Sequence, residues 1–265
     1  MLYHSDSVHI AVCYKGRWWR VDVLRYDKKP LSMQIIQSQL DWLMSFQSSN
    51  KTEIHAVESK MAGLTALPRT RWAEIREDHL SEGLNKVSLE EIESAMFCLH
   101  LDDRAPSTWS EAANLSLHGG GGTSWWCDKS FNIIVFANGD ASMHIEHSWA
   151  DAPTMAHAWV WVLAHENQAG CYDSCGRLAA KSPFPAYTDT GAMCTHECCS
   201  RREPNVLEVA ALQVQPPSQS QPLHVAPGAL GPPTTPVLPV PLNWHLNEQL
   251  VEAISDAERA AEVYT

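Results

Sequence analysis

The chain has 265 residues, with 19 Lys+Arg against 31 Asp+Glu and 45% hydrophobic side chains. A net charge of -12 excludes a non-specific nucleic-acid binder, which needs a basic surface to displace counterions. Eleven Trp and a charged fraction of only 19% exclude wholesale disorder, and no apolar run approaches the roughly 18–20 residues that span a bilayer.

In chain order, residues 8–26 (VHIAVCYKGRWWRVDVLRY) hold two β-rich runs joined by Lys15-Gly16, a hairpin signal. Residues 31–46 place Met33, Ile36, Leu40, Leu43 and Met44 on one helical face. A second helix is expected over Trp72–Leu80. A third is expected to start at Ser88, where Ser-Leu-Glu-Glu reads as a capping box. Residues 96–101 (MFCLHL) form a short strand candidate. The run Gly119–Gly122 must be a loop; no Lys-Ser/Thr follows it, so it is no phosphate cradle.

The most regular segment follows. FNIIVFA (131–137), the turn Asn138-Gly139 and ASMHIEH (141–147) spell an antiparallel hairpin. Asp151-Ala-Pro153 then marks a helix start, with an apolar helix continuing to Glu166. Beyond residue 170 the character changes: twelve of the sixteen prolines lie between Pro183 and Pro241, and 214–241 has no hydrophobic period. Residues 242–263 resume as an amphipathic helix carrying Leu246, Leu250, Val251 and Ile254 on one side. The fold class is α/β, a mixed sheet with flanking helices. Three segments are expected: 1–199, a disordered Pro-rich linker or insertion at 200–241, and the helix of 242–265.

Cysteines are used in two ways. Cys13, Cys98 and Cys127 sit singly in apolar surroundings, as reduced core thiols do, which points to a reducing compartment. Cys171, Cys175, Cys194, Cys198 and Cys199 crowd together, but their spacing is not diagnostic of zinc, and unpaired thiols are expected. Trp18-Trp19 and Trp125-Trp126 are expected in the core.

His147 is the sharpest chemical candidate. It closes the second strand of the 131–147 hairpin, and Asp151 follows four residues later across a tight connection. A carboxylate in that place orients an imidazole and stabilises its protonated form, the need of a general base near neutral pH. The bland alternative is that Asp151 merely caps the helix. Neighbouring His144 and His157 are expected on the surface.

The stretch WWCDKSFNIIVFANGDASMHIEHSWADAP (125–153) resembles the central segment of the carnitine/choline acyltransferase family. Its Glu-His-Ser-Trp-Ala-Asp-Ala-Pro version is most similar to the carnitine palmitoyltransferases of the mitochondrial outer membrane. GRWWRVDVL (16–24), RTRWAEIRE (69–77) and NKVSLEEIESAMFCLHLDD (85–103) fall in the family's order upstream, and YTDTGAMC (187–194) and LNWHLNEQLVEAI (242–254) are weaker echoes. The resemblance implies a two-domain α/β architecture similar to chloramphenicol acetyltransferase, of which this chain is part of the histidine-bearing half. It implies reversible long-chain acyl transfer between CoA and the carnitine hydroxyl, with acyl-CoA and carnitine as substrates and no further cofactor. His147 matches the catalytic histidine and Asp151 its supporting acid; Asp128 and Lys129 match structural positions. It also implies a mitochondrial address without a transmembrane segment in this chain. At Ser124 and Trp125 the chain departs from the family's Asn-Arg pair. The family's CoA-contacting and oxyanion motifs have no match here, so a truncated, catalytically silent isoform that binds full-length subunits or acyl-CoA stands as the alternative; the exposed half-interface is expected to favour self-association.

Overall fold

The computed structural model describes residues 4–49, 56–119, 121–168 and 238–262. The chain divides into one unit of residues 1–165 with 237–265 and another of 166–236; of the latter only the end of one helix, to Gln168, is described. The cysteine cluster and most of the proline-rich stretch therefore lie outside the described residues.

The first unit is built on a mixed six-stranded sheet. Strands β1 (His9–Tyr14) and β2 (Arg17–Asp22) pair antiparallel, as expected from Lys15-Gly16. Both turn residues have positive φ, 50° and 76°, which gives the backbone twist that a two-residue hairpin needs. A Cβ on Gly16 would also sit 2.3 Å from the Ser59 Cβ, so glycine is required there twice over. Strand β3 (Cys98–Asp102) runs parallel to β1, and β4 (Phe131–Phe136) parallel to β3. Strand β5 (Ala141–Ile145) closes one edge antiparallel to β4, and β6 (Val240–Pro241) closes the other antiparallel to β2. The spatial order is β5-β4-β3-β1-β2-β6. Pro241, which lacks an N–H to give to a ladder, stands on the edge strand, where that loss is tolerated. Residues 240–241 thus pair in the sheet although composition groups them with the proline-rich run.

Because successive side chains on a strand face opposite ways, adjacent Trp18 and Trp19 serve two different cores. Trp18 joins Trp72, Trp126, Leu89, Ile92, Leu250 and Ile254 on one face. Trp19 joins Ile10, Val12, Val21 and Leu43 on the other, with T-shaped contacts to Trp42 at 6.1 Å and Phe46 at 5.7 Å. Those two aromatics come from α1 (Met33–Ser49), whose expected apolar stripe covers this second face. The 3-10 helix Glu58–Ala66, α2 (Arg69–His79) and α3 (Gly83–Ser94) cover the first.

The helices depart from the sequence pattern in several places: α2 begins at Arg69 rather than Trp72, and the last helix at Glu248 rather than at residue 242. Helix α3 begins at Gly83, not Ser88; the Ser88 hydroxyl is buried in the helix interior and donates to the Asn243 carbonyl at 2.6 Å. A long-range partner has taken the group that the local pattern assigned to a cap. Helix α4 (Trp109–His118) is an element the chain-order pattern did not reveal. Its start is held from both sides, in the manner of a capping box: the Thr108 hydroxyl accepts from the Glu111 amide at 3.2 Å, and the Glu111 carboxylate accepts from the amide of Ser107, one residue before the cap, at 2.7 Å. Gly119 ends it in the left-handed conformation, φ 62°. The last helix, α6 (Glu248–Glu262), starts after Asn247, whose side chain accepts from the Leu250 amide at 2.8 Å. Its Leu250, Ala253, Ile254 and Ala257 are buried in the first core.

Candidate active site

The β4–β5 hairpin positions the candidate pair. Residues 137–140 connect its strands, and the hydrogen bonds enclose a three-residue loop rather than a two-residue one: Gly139 (φ 87°) donates to the Phe136 carbonyl and the Phe136 amide to the Asp140 carbonyl, both at 2.9 Å. Strand β5 ends at Ile145, so His147 does not close it but lies in the turn beyond. Helix α5 (Ala152–Gln168) begins directly after Asp151, and the Thr154 amide donates to the Asp151 carbonyl at 3.0 Å.

Across this link His147 Nε2 meets Asp151 Oδ1 at 3.0 Å. Both side chains are open to solvent, 76% and 81% exposed. The loop between them is tied down. The Glu146 amide donates to the Ser130 carbonyl at 3.1 Å, and the Trp149 indole Nε1–H donates to that same carbonyl at 2.8 Å. The Ser148 hydroxyl, with its amide at 2.8 Å, donates to the Glu146 carboxylate and holds that carboxyl below its usual range.

The strand entry before the hairpin is structural, as expected for Asp128 and Lys129. Asp128 accepts both guanidinium arms of Arg69, at 2.8 and 3.0 Å, and the Trp72 indole N–H at 2.6 Å. Lys129 is buried, and its Nζ donates to the Ile92 and Glu93 carbonyls at 3.0 and 2.7 Å, a cation at the end of α3. Burial pulls its ammonium below the usual lysine range. At the departure positions, the Trp125 indole donates to the Leu115 carbonyl at 3.1 Å and the Ser124 hydroxyl to Gly119, so both residues secure the end of α4.

Other titratable groups belong to the interior. His100 is buried on β3 between Trp18 and Trp125, with centroids 5.2 and 4.7 Å away; its Nε2–H donates to Asn132 Oδ1 at 3.0 Å. Burial brings its pKa down to about 4 and keeps it neutral. His144, expected on the surface, is half-buried; its Nδ1–H donates to the Ser116 carbonyl at 3.0 Å, and burial lowers its pKa as well. His157 is exposed as expected. Burial pushes the Cys13 and Cys98 thiols up to about 12, the protonated core thiols that their placement implied. Among the described residues, surface cavities are formed elsewhere. One of about 570 Å³ lies between α2 and α6 beside Arg71, Asp78, His79 and Glu252; another, about 480 Å³, runs along α2 and α3. Neither includes His147. No helix among the described residues is long and apolar enough to cross a membrane.

The mixed sheet thus presents a histidine–aspartate pair at the β5–α5 junction. The family model of the choline/carnitine O-acyltransferases matches residues 1–265, and the chain belongs to that family. It is similar to the human muscle isoform of carnitine O-palmitoyltransferase 1, 37% identical over 188 residues, which is 69% of this chain and 24% of that protein. The human liver isoform is 36% identical over 166 residues (60% of this chain, 21% of the relative). Human mitochondrial carnitine O-palmitoyltransferase 2 is 39% identical over 151 residues, 57% of this chain and 22% of that protein. The chain thus spans less than a quarter of the length of these relatives.

Proposed function

We propose that this chain carries the base of a carnitine O-acyltransferase, moving a long-chain acyl group reversibly between CoA and carnitine. The observation that carries the reading is the 3.0 Å contact between His147 and Asp151 at the entrance to α5. A hydroxyl is a poor nucleophile until its proton is removed during attack. With Nε2 engaged by Asp151, the other ring nitrogen, Nδ1, accepts the carnitine hydroxyl proton. The oxygen forms its bond to the thioester carbonyl carbon, and the tetrahedral intermediate expels the CoA sulfur, which leaves with the proton from the imidazolium. The reverse reaction uses the same ring to take the thiol proton. Asp151 fixes the ring and offsets its positive charge between the two transfers. Long-chain preference and a mitochondrial address rest on the palmitoyltransferase relatives.

The exposure of both side chains favours a second reading, in which this chain alone is a silent partner. A base open to bulk water lacks the excluded, preorganised surroundings in which acyl transfer is fast. Purified chain given palmitoyl-CoA with and without L-carnitine decides between the two. Carnitine-dependent thiol release that falls about 10²–10⁴-fold in His147→Ala supports the enzyme. Equal release from wild type and variant supports the silent partner, and faster release from acetyl-CoA than palmitoyl-CoA overturns the long-chain assignment.

A further inference from the structure

Trp149 lies midway between the two members of the pair, two residues after His147 and two before Asp151. Its indole N–H reaches back 2.8 Å to the Ser130 carbonyl, the group that also receives the Glu146 amide at 3.1 Å. A single backbone oxygen at the entry of β4 therefore grips the loop on both sides of His147. The grip is backed by packing. The Trp149 ring lies against Phe131 at 6.3 Å between centroids, and Phe131 stacks on Phe97 at 5.1 Å and 17°. Yet Trp149 remains 36% exposed, so packing alone does not account for where the indole nitrogen points.

From this geometry we propose that Trp149 is a positioning residue for the acyl-transfer base, which rests on the function proposed above. Its N–H sets the span of the loop and thereby the approach of Asp151 to His147. Without it the loop keeps the Glu146 hinge but loses the second point that defines its direction. His147 then rotates away from Asp151, and the ring nitrogens no longer have distinct tasks. A displacement near 1 Å at a reacting group is enough to cost one to two powers of ten in rate.

Trp149→Phe keeps an aromatic ring against Phe131 and removes the N–H. Benzothienylalanine at 149 keeps the full ring size without the donor and serves if the Phe variant folds poorly. With palmitoyl-CoA and L-carnitine, kcat is expected to fall about tenfold while KM for either substrate stays within about twofold. Long-range ¹H–¹⁵N correlations of ring-labelled histidine, at a pH where the ring is neutral, give a readout that needs no turnover. Wild type is expected to hold His147 as the Nε2–H tautomer, with the proton toward Asp151, and the variant to show a mixture. Either readout unchanged in an active, folded variant overturns the proposal. If wild type does not turn over, the function proposed above fails, and the tautomer comparison alone decides whether Trp149 sets the pair.

Discussion

Two histidines of this chain show how the same side chain is placed in opposite surroundings. His100 lies in the middle of the sheet, enclosed by Trp18 and Trp125, its ring donating to Asn132, and its charged form is suppressed. His147 stands beyond the sheet edge in an open loop, with a carboxylate 3.0 Å from its ring. Burial with a neutral partner makes an imidazole part of the packing. Exposure beside an acid leaves it outside the packing. The lesson is that burial decides which histidine belongs to the packed interior and which stays open to solvent on a loop anchored to it.

This contrast can be tested from the enclosed side first. Trp18→Ala removes the ring that faces both His100 and Trp126, at 5.2 and 5.6 Å, and is expected to cost about 3–5 kcal/mol in urea unfolding. A loss under about 1 kcal/mol would mean that the two regions are not separate in stability. Acid comes next. His100 has a folded-state pKa near 4, below its unfolded value of 6.5, so the unfolded chain binds more protons between those values. Its contribution to stability is therefore full above about pH 6.5, declines as the pH falls toward 4, and amounts to roughly 3 kcal/mol over that window. His9 and His144, also lowered by burial, act in the same direction. His100→Gln, which can still donate to Asn132, is expected to flatten that acid limb; an unchanged slope would assign the sensitivity to other groups. The smallest effect belongs to the exposed region. His147→Ala is expected to change stability by no more than about 0.5 kcal/mol, against the large loss of acyl transfer set out above. A drop in melting temperature comparable to that of Trp18→Ala would show that the loop is part of the core after all.

Local chemistry explains which parts of this arrangement are readable from residues alone. Lys15-Gly16 and Asn138-Gly139 announce their hairpins because each turn needs a glycine at positive φ, Gly16 in one and Gly139 in the other. The stripe of α1 is legible because one face of that helix meets the sheet. Ser88 misleads because its hydroxyl goes to Asn243, a partner far away in sequence that no local pattern contains. Helix α4 carried a signal, Thr108-Trp-Ser-Glu111, that could have revealed it. Its apolar side, Ala112 and Leu115, is short and packs only at the margin of a small third cluster.

The sequence by itself determined the α/β class and the spacing of His147 from Asp151, because these follow from short-range order, and the resemblance of its segment 125–153 pointed to the family. Only the tertiary structure decided that β3 inserts between β1 and β4, that residues 240–241 return to the far edge, and that one carbonyl of Ser130 grips the loop from two sides. Those outcomes depend on groups distant along the chain satisfying one another's hydrogen bonds and apolar surface, and such partners are chosen by the packed whole.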